Sequence, residues 1–473
     1  MRSRRSMLAA SVLAPLTAAL GSVADAAKKG NKGKRKKGAG KKPRAPKGSP
    51  NFVVIVTDDM RASDWQALPK TKALLAPRGV WFPNFLIPTP TCSPSRTSLL
   101  TGMHAHNHGV LRSNGPHSGW AAFHANRLEQ RTIALRLHRA GYRTMLVGKY
   151  QNGYGGRGGV PVGWDEWCAT SATGYVNFSV VENGKLRKYR GRRYLTDYMR
   201  SKAVRFISTT PRDTPLLLNM NFKAPHSPAT PAPRDRNAFA GVAVDRAIPS
   251  LSEDDTVLSG KPEWVRQLAP IPRDALDKDE QLRLGTLRSV DQAIAAVVNR
   301  LRTTGRLDNT YLFVLSDNGW MRGEHRILDK GVPYASSVCV PMLAWGPRFA
   351  ASGTDDRIVA NIDIAPTIAA AAGIGFPGVD GRNLLDDWSR EEMLLEGWSN
   401  SRPGWRALRG KTWLYVEYDT DEREYYEYDP DPYELTNRLA DWSGHTPTLA
   451  EVDADRLAER LNDAKTCRGK ACP

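Results

Sequence analysis

Cys92 lies in the run Thr91-Cys92-Ser93-Pro94-Ser95-Arg96-Thr97-Ser98-Leu99-Leu100-Thr101-Gly102. Ser93 reads as an N-cap, Pro94 fits a first helical position and Gly102 can close the helix. Cys92 then stands at the positive end of a helix with Arg96 one turn in, a ready anion site. On these grounds Cys92 is either a reactive thiolate or a buried structural cysteine. Four other polar groups each follow an apolar run: Asp58-Asp59, Gly148-Lys149, Lys223-Ala224-Pro225-His226 and Asp317-Asn318-Gly319. Asp58, Asp59, Asp317 and Asn318 are hard oxygen donors with no Cys-His cluster beside them. They suit Ca²⁺ first and Mg²⁺ second, and make zinc a poor choice.

The elements that must position these groups are short and alternate in type. Residues 52–57, 143–147, 215–221 and 311–316 are strand-like. Residues 131–140 and 282–303 have helical periodicity, the second with Leu284, Leu287, Val290, Ile294, Val297, Val298 and Leu301 on one face. Such alternation predicts an α/β fold with a large, mostly parallel central sheet flanked by helices. In an open parallel sheet the carboxyl ends of the strands line the crevice, so carboxylates, an amide, Lys and His all reach one edge. Past residue 395 the texture changes. Residues 411–418 and 424–428 alternate around a turn at Thr420-Asp421 and predict an antiparallel hairpin, followed by a helix over 454–464. The expected divisions are 1–27, 28–49, 50–394 and a smaller C-terminal α+β subdomain, 395–473.

The formal charge of the 473-residue chain is +19, most of it in the first 49 residues. The body is only mildly basic, which gives no reason to expect a nucleic-acid partner. Ser3-Arg4-Arg5-Ser6-Met7-Leu8, an apolar run to about Leu20 and Ala24-Asp25-Ala26 read as a twin-arginine signal peptide over 1–27. The expected location is therefore exported, through the twin-arginine machinery. No later run reaches the length of a membrane span. Residues 28–49 carry eleven Lys or Arg and almost nothing apolar, which predicts a disordered basic tether with affinity for polyanions. Of the five cysteines, Cys467 and Cys472 close a small loop and could pair; Cys168 and Cys339 form a second pair or stay as buried thiols.

Cys92-x-Pro94-x-Arg96 followed by Thr97-Ser98-Leu99-Leu100-Thr101-Gly102 resembles the signature of the type I, formylglycine-dependent sulfatases of the alkaline phosphatase superfamily. The similarity runs from about Asn51 to Asn437 and takes in the strand-end groups, Gly323-Glu324-His325 and 428–437 (Tyr428-Asp429-Pro430-Asp431-Pro432-Tyr433-Glu434-Leu435-Thr436-Asn437). Residues 148–154 and 161–167 are similar to the N-acetylglucosamine-6-sulfatase branch. Two departures stand out. Gln151 occupies a position where arylsulfatases have His. Cys339 stands where that branch usually has Arg, behind Ala335-Ser336-Ser337 in place of an acidic pair.

The resemblance implies that a formylglycine-generating enzyme oxidises Cys92 to an aldehyde whose hydrate attacks the sulfur of a sulfate monoester, then releases sulfate by elimination. It implies that Arg96 supports the hydrated aldehyde, that Lys149 and Lys330 hold sulfate oxygens, and that His226 protonates the leaving oxygen. The expected substrate is a sulfated small molecule or polysaccharide, with a sugar favoured. His104, His106 and His108 are read as loop or supporting residues, because the oxygen cluster already serves a cation. Two competing readings are a formylglycine-dependent phosphodiesterase or phosphonate monoester hydrolase, and a non-catalytic polyanion-binding protein.

Overall fold

The structure is a computed structural model and describes residues 43–473 apart from 157, 192, 246, 252–257, 350–351 and 441–452. The expected signal peptide and residues 28–42 of the expected tether lie outside the described residues. Residues 43–49 join the body. Ala45 packs against the core, and Asn309 Nδ2 donates to the carbonyls of Gly48 and Ser49 at 3.0 and 3.3 Å. The ordered chain thus begins before Asn51, because Ala45 finds apolar cover and these carbonyls find donors.

Ten strands form one mixed sheet, in the order Gly353–Thr354, Val80–Phe82, Met342–Trp345, Thr310–Ser316, Asn51–Asp58, Leu216–Pro225, Arg143–Gly148, Glu166–Thr173, Phe178–Glu182 and Lys185–Tyr189. Five adjacent strands, from Thr310–Ser316 to Glu166–Thr173, run parallel, with Val54 opposite both Phe313 and Asn219. Toward the edges, Met342–Trp345 is antiparallel to both neighbours, and so is Phe178–Glu182. The sheet is parallel where the site lies and mixed outside it.

Every residue of Asn51–Asp58 is buried. Phe52, Val54 and Val56 enter one core and Val53 and Ile55 the other, which is why this strand reads as an unbroken apolar run. One face is covered by Leu195–Thr209 and by Arg273–Thr303, whose Leu284, Leu287, Val290, Ile294, Val297 and Leu301 are fully buried. Burying each such side chain contributes about 1.5–3 kcal/mol. This helix starts nine residues before 282, on a polar stretch that shows no apolar period. Cys92–Thr101, Ile133–Arg139 and Ile364–Ala371 cover the other face.

Glu392–Gly397, Trp405–Gly410, Trp413–Tyr418 and Arg423–Glu427 form a second, antiparallel sheet. The expected hairpin is its second half, turning at Asp421 with φ 64°. The sheet begins at Glu392, ahead of the expected division at 395. Leu394, Leu408 and Tyr415 pack against Leu461 of the helix Ala454–Ala464. Cys467 and Cys472 form a disulfide, while Cys168 and Cys339 remain thiols. Among the described residues no helix is long and apolar enough to cross a membrane.

Candidate active site

The strands Thr310–Ser316, Asn51–Asp58, Leu216–Pro225 and Arg143–Gly148 deliver their carboxyl ends to one edge, and the helix Cys92–Thr101 starts on the same spot. Its N-cap is Thr91, not Ser93 as expected. Ser93 is drawn into other bonds: its Oγ accepts from the Asn152 N–H at 2.9 Å and its N–H donates to Ser113 Oγ at 3.0 Å. Cys92 is thereby the first helical residue. The loop carrying Lys149 is pinned to the same helix, since Gln151 Nε2 donates to Thr97 Oγ1 at 3.2 Å. Gln151 thus anchors the loop rather than facing the cluster through an imidazole. Gly148 is required at the strand end: its φ is 108°, and a Cβ there would lie 1.9 Å from the Asn221 carbonyl oxygen.

The structure brings the expected residues together. Lys149 Nζ lies 2.6 Å from Asp58 Oδ2; Arg96 Nε donates to Asp317 Oδ2 at 2.9 Å, and Arg96 Nη2 stands in an ion pair with the same oxygen at 2.8 Å. Lys330 Nζ contacts Asp59 Oδ1 and donates to Cys92 Sγ at 3.1 Å. Asp58 Oδ1 is 3.5 Å from that sulfur. Asn318 Nδ2 donates to Asp59 Oδ1 at 2.6 Å. His226 stands at the open side, its Nδ1 donating to the Ser227 carbonyl at 2.5 Å and its Nε2 3.8 Å from Asp59 Oδ2.

Charge sets the state of these groups. Burial opposes ionisation of Asp58, but Lys149, His226, Arg96 and Lys330 together hold its carboxyl well below the usual range. Asp59 is lowered in the same way, chiefly by Lys330 against its burial. Asp317 is raised by burial and by Asp58. Burial and then Asp58 push the Cys92 thiol up to about 11. Burial and the Asp58 carboxylate thus oppose the thiolate reading of Cys92.

A divalent cation fits the donor set. Oxygens of Asp58, Asp59 and Asp317 lie within 4.8 Å of one another. Asp59 Oδ2 and Asn318 Oδ1 are buried with no hydrogen-bond partner among the described residues, an arrangement that a hard cation would satisfy. Asp59 is held with φ 70°, a left-handed conformation rarely taken by residues other than glycine, and its N–H donates to Asp317 Oδ1 at 3.2 Å.

Arg283 was not expected here. It is fully buried and donates to the carbonyl of Asp59, with its guanidinium 5.1 Å from the Trp320 ring. Its sequence signal is an arginine on the apolar stripe of Leu287, Val290 and Ile294, where a charge has no reason to be unless it is bonded. His108 Nδ1 accepts from the Val110 N–H at 3.0 Å, which leaves Nε2 to donate to Ser98 Oγ at 3.1 Å: a loop-fixing role, as expected.

A mixed α/β sheet with anion-binding and cation-binding side chains converging on a helix-start cysteine defines a hydrolase of the sulfatase class. The chain belongs to the sulfatase family, the sulfuric ester hydrolases: residues 50–374 match the Sulfatase family, and 323–465 match N-sulphoglucosamine sulphohydrolase, C-terminal. It is 34% identical over 406 residues to the N-acetylglucosamine-6-sulfatase of Capra hircus, covering 80% of this chain and 68% of that one. It is also 34% identical over 370 residues to an extracellular sulfatase SULF-1 homolog of Drosophila melanogaster, where it matches 74% of this chain but spans only 32% of that relative. A solved structure described in complex with its substrate D-glucosamine-2-N,6-O-disulfate shares the fold, with a TM-score of 0.75 at 22% identity over 88% of this chain and 97% of that one. A phosphonate monoester hydrolase of Agrobacterium radiobacter does so at 0.68 and 21%, over 87% of this chain and 95% of that one.

Proposed function

We propose that the protein hydrolyses a sulfate monoester of a sugar, giving the alcohol and inorganic sulfate. The observation that carries this is the buried Cys92 flanked at hydrogen-bond distance by Lys330 and Asp58, with Lys149 and Arg96 behind them. As a thiol it is a poor nucleophile. As a formylglycine hydrate the same position supplies an attacking hydroxyl and a means of releasing sulfate afterwards. A Ca²⁺ or Mg²⁺ held by Asp58, Asp59, Asp317 and Asn318 supplies positive charge for the sulfate oxygens.

The chain's own residues do the rest. The three carboxylates of Asp58, Asp59 and Asp317 are balanced by Arg96, Lys149 and Lys330, so a bound divalent cation leaves the centre positive and attractive to a monoanionic ester. Lys149 and Lys330 bind sulfate oxygens; Arg96, fixed to Asp317 by its Nε hydrogen bond and the ion pair, orients the side chain at position 92. Asp58 Oδ1, 3.5 Å from the sulfur at that position, accepts a hydrogen bond from it and so helps to orient it. His226, half-exposed at the mouth with its Nδ1–H held by the Ser227 carbonyl, protonates the leaving oxygen from Nε2 in its doubly protonated form and is left as the neutral ring. The sugar preference rests on the N-acetylglucosamine-6-sulfatase relatives. Export through a twin-arginine signal rests on residues 1–27 and accords with the extracellular relative.

The test is parallel release of sulfate and phosphate from purified chain, on sugar sulfates, aryl sulfates and phosphodiesters. Sulfate release that is faster on sugar sulfates supports the reading. Phosphate release dominating on every pair overturns it in favour of a phosphoesterase. The same assay on a chain beginning at Pro43 checks the basic segment: unchanged turnover of a small substrate excludes a catalytic role for it.

A further inference from the structure

We propose that His104, His106 and Glu396 form a second metal site, distinct from the carboxylate centre, that takes a zinc-class divalent ion and clips the C-terminal sheet to the loop behind the Cys92 helix. His104 and His106 lie just past the end of Cys92–Thr101, and Glu396 lies in the strand Glu392–Gly397. One donor atom of each falls within 4.8 Å of the others.

Three atoms of this cluster lack a partner. His104 is fully buried, and neither of its ring nitrogens has a hydrogen-bond partner among the described residues; nor does Oε2 of the equally buried Glu396. Buried polar atoms are ordinarily bonded, so this concentration in one place points to a missing ligand. His106 carries the second argument. Its Nε2 faces the Cys467 carbonyl at 2.9 Å and its Nδ1 faces Glu396 Oε1 at 3.0 Å. Both neighbours are acceptors, and a neutral ring can donate from only one nitrogen. Without a metal only the imidazolium meets both acceptors, a form that the Glu396 bond and charge favour against the ring's burial; with a metal bound, Nε2–H donates to the carbonyl and Nδ1 is left as a lone pair. That is the usual outer bond of a metal-bound histidine.

The separation also fits. Two ligands on a tetrahedral zinc, each bonded at about 2.0–2.1 Å, lie about 3.3 Å apart, close to the His106–Glu396 distance. Two imidazoles and one carboxylate suit zinc rather than the hard cation expected at Asp58, Asp59, Asp317 and Asn318. A cleft lined by Arg406, Tyr418 and Lys465 adjoins His106 and Glu396 and can admit water to a fourth position. Cys467 and Cys472 also lie near His104, but their sulfurs are joined to each other and offer no thiolate.

The experiment uses the full purified chain, cleared of metal with a chelator, resupplied with Ca²⁺ and titrated with Zn²⁺ alone, with metal content measured after desalting. Wild type is expected to retain one zinc equivalent. His104→Phe and Glu396→Gln are expected to weaken zinc binding by about 100-fold or more, the upper end of what even an outer-bond loss costs. Sulfate release with Ca²⁺ present is expected to stay within about twofold of wild type, since neither residue belongs to the catalytic centre. Glu396→Gln preserves shape, so it decides the matter if His104→Phe does not fold. Wild type that retains no zinc overturns the proposal, as does equal retention by all variants. Retention that appears only after reduction of Cys467–Cys472 also overturns it, by assigning the ligands to sulfur.

Discussion

Lys149→Ala removes the ammonium that lies 2.6 Å from Asp58 Oδ2. At an effective dielectric of about 20 this contact carries about 6 kcal/mol of gross attraction, against about 5 for Arg96 at 3.5 Å and about 4 for Lys330 at 3.9 Å. Asp58 therefore keeps more than half of its compensating charge, and the fold survives. The loss falls on the sulfate instead. Removing one preorganised electrostatic group from a developing anion costs about 10²–10³ in kcat, or about 3–4 kcal/mol of transition-state stabilisation. The assay is sulfate release from a small sulfate ester, at limiting and saturating substrate, with thermal denaturation run in parallel. The expected result is kcat/KM lower by about a hundred- to a thousandfold and a melting temperature shifted by only a few degrees. Activity within tenfold of wild type refutes the assignment of Lys149 to the sulfate. A variant unfolded at room temperature refutes the charge ledger.

Mass spectrometry of the peptide containing Cys92 from active protein is expected to show an aldehyde, and Cys92→Ala to abolish turnover; full activity in that variant removes the mechanism. Asp317→Ala is expected to lose the divalent cation while staying folded, read by metal analysis beside circular dichroism. His226→Ala is expected to slow esters with poor leaving groups far more than activated aryl sulfates, and equal losses on both reassign His226 to binding. Burial pushes the Glu434 carboxyl up to about 7, against an ordinary value of 4.5. The folded state therefore binds more protons than the unfolded one between these values, and stability falls as pH rises through that window, by on the order of 3 kcal/mol. Glu434→Gln is expected to flatten that slope in denaturant titrations run at pH 4.5 and 8.

What was legible in the sequence follows from where the chain must be simple. Asn51–Asp58 is buried on both faces, so its apolar run and the abrupt Asp58-Asp59 ending were plain. The same holds for Thr310–Ser316 and its Asp317-Asn318 ending, and the site assembled where those endings converge. Lys330 sits in a loop with no periodicity, and only the family likeness pointed to it. Arg283 was hidden by the apolar helix around it. The strand Trp405–Gly410 was missed because Leu408 and Arg409 break its alternation. The Arg409 guanidinium lies 3.7 Å from the Tyr428 ring centroid, a cover that no local pattern announces. The N-cap moved from Ser93 to Thr91 because Asn152, far along the chain, claims the Ser93 hydroxyl.

The 2% exposure of Cys92 imposes a timetable on the making of this protein. Its sulfur is covered by Lys330 and Asp58, which come from strand ends and loops scattered over most of the chain. An oxidising enzyme large enough to recognise residues 92–96 cannot reach them once those pieces have closed. If Cys92 is oxidised as proposed above, that step must therefore run ahead of folding. On the same proposal, a chain that folds first is trapped as an inert thiol, however perfect its final shape. The fraction of active molecules in any preparation then measures a race between two rates, not the quality of the fold.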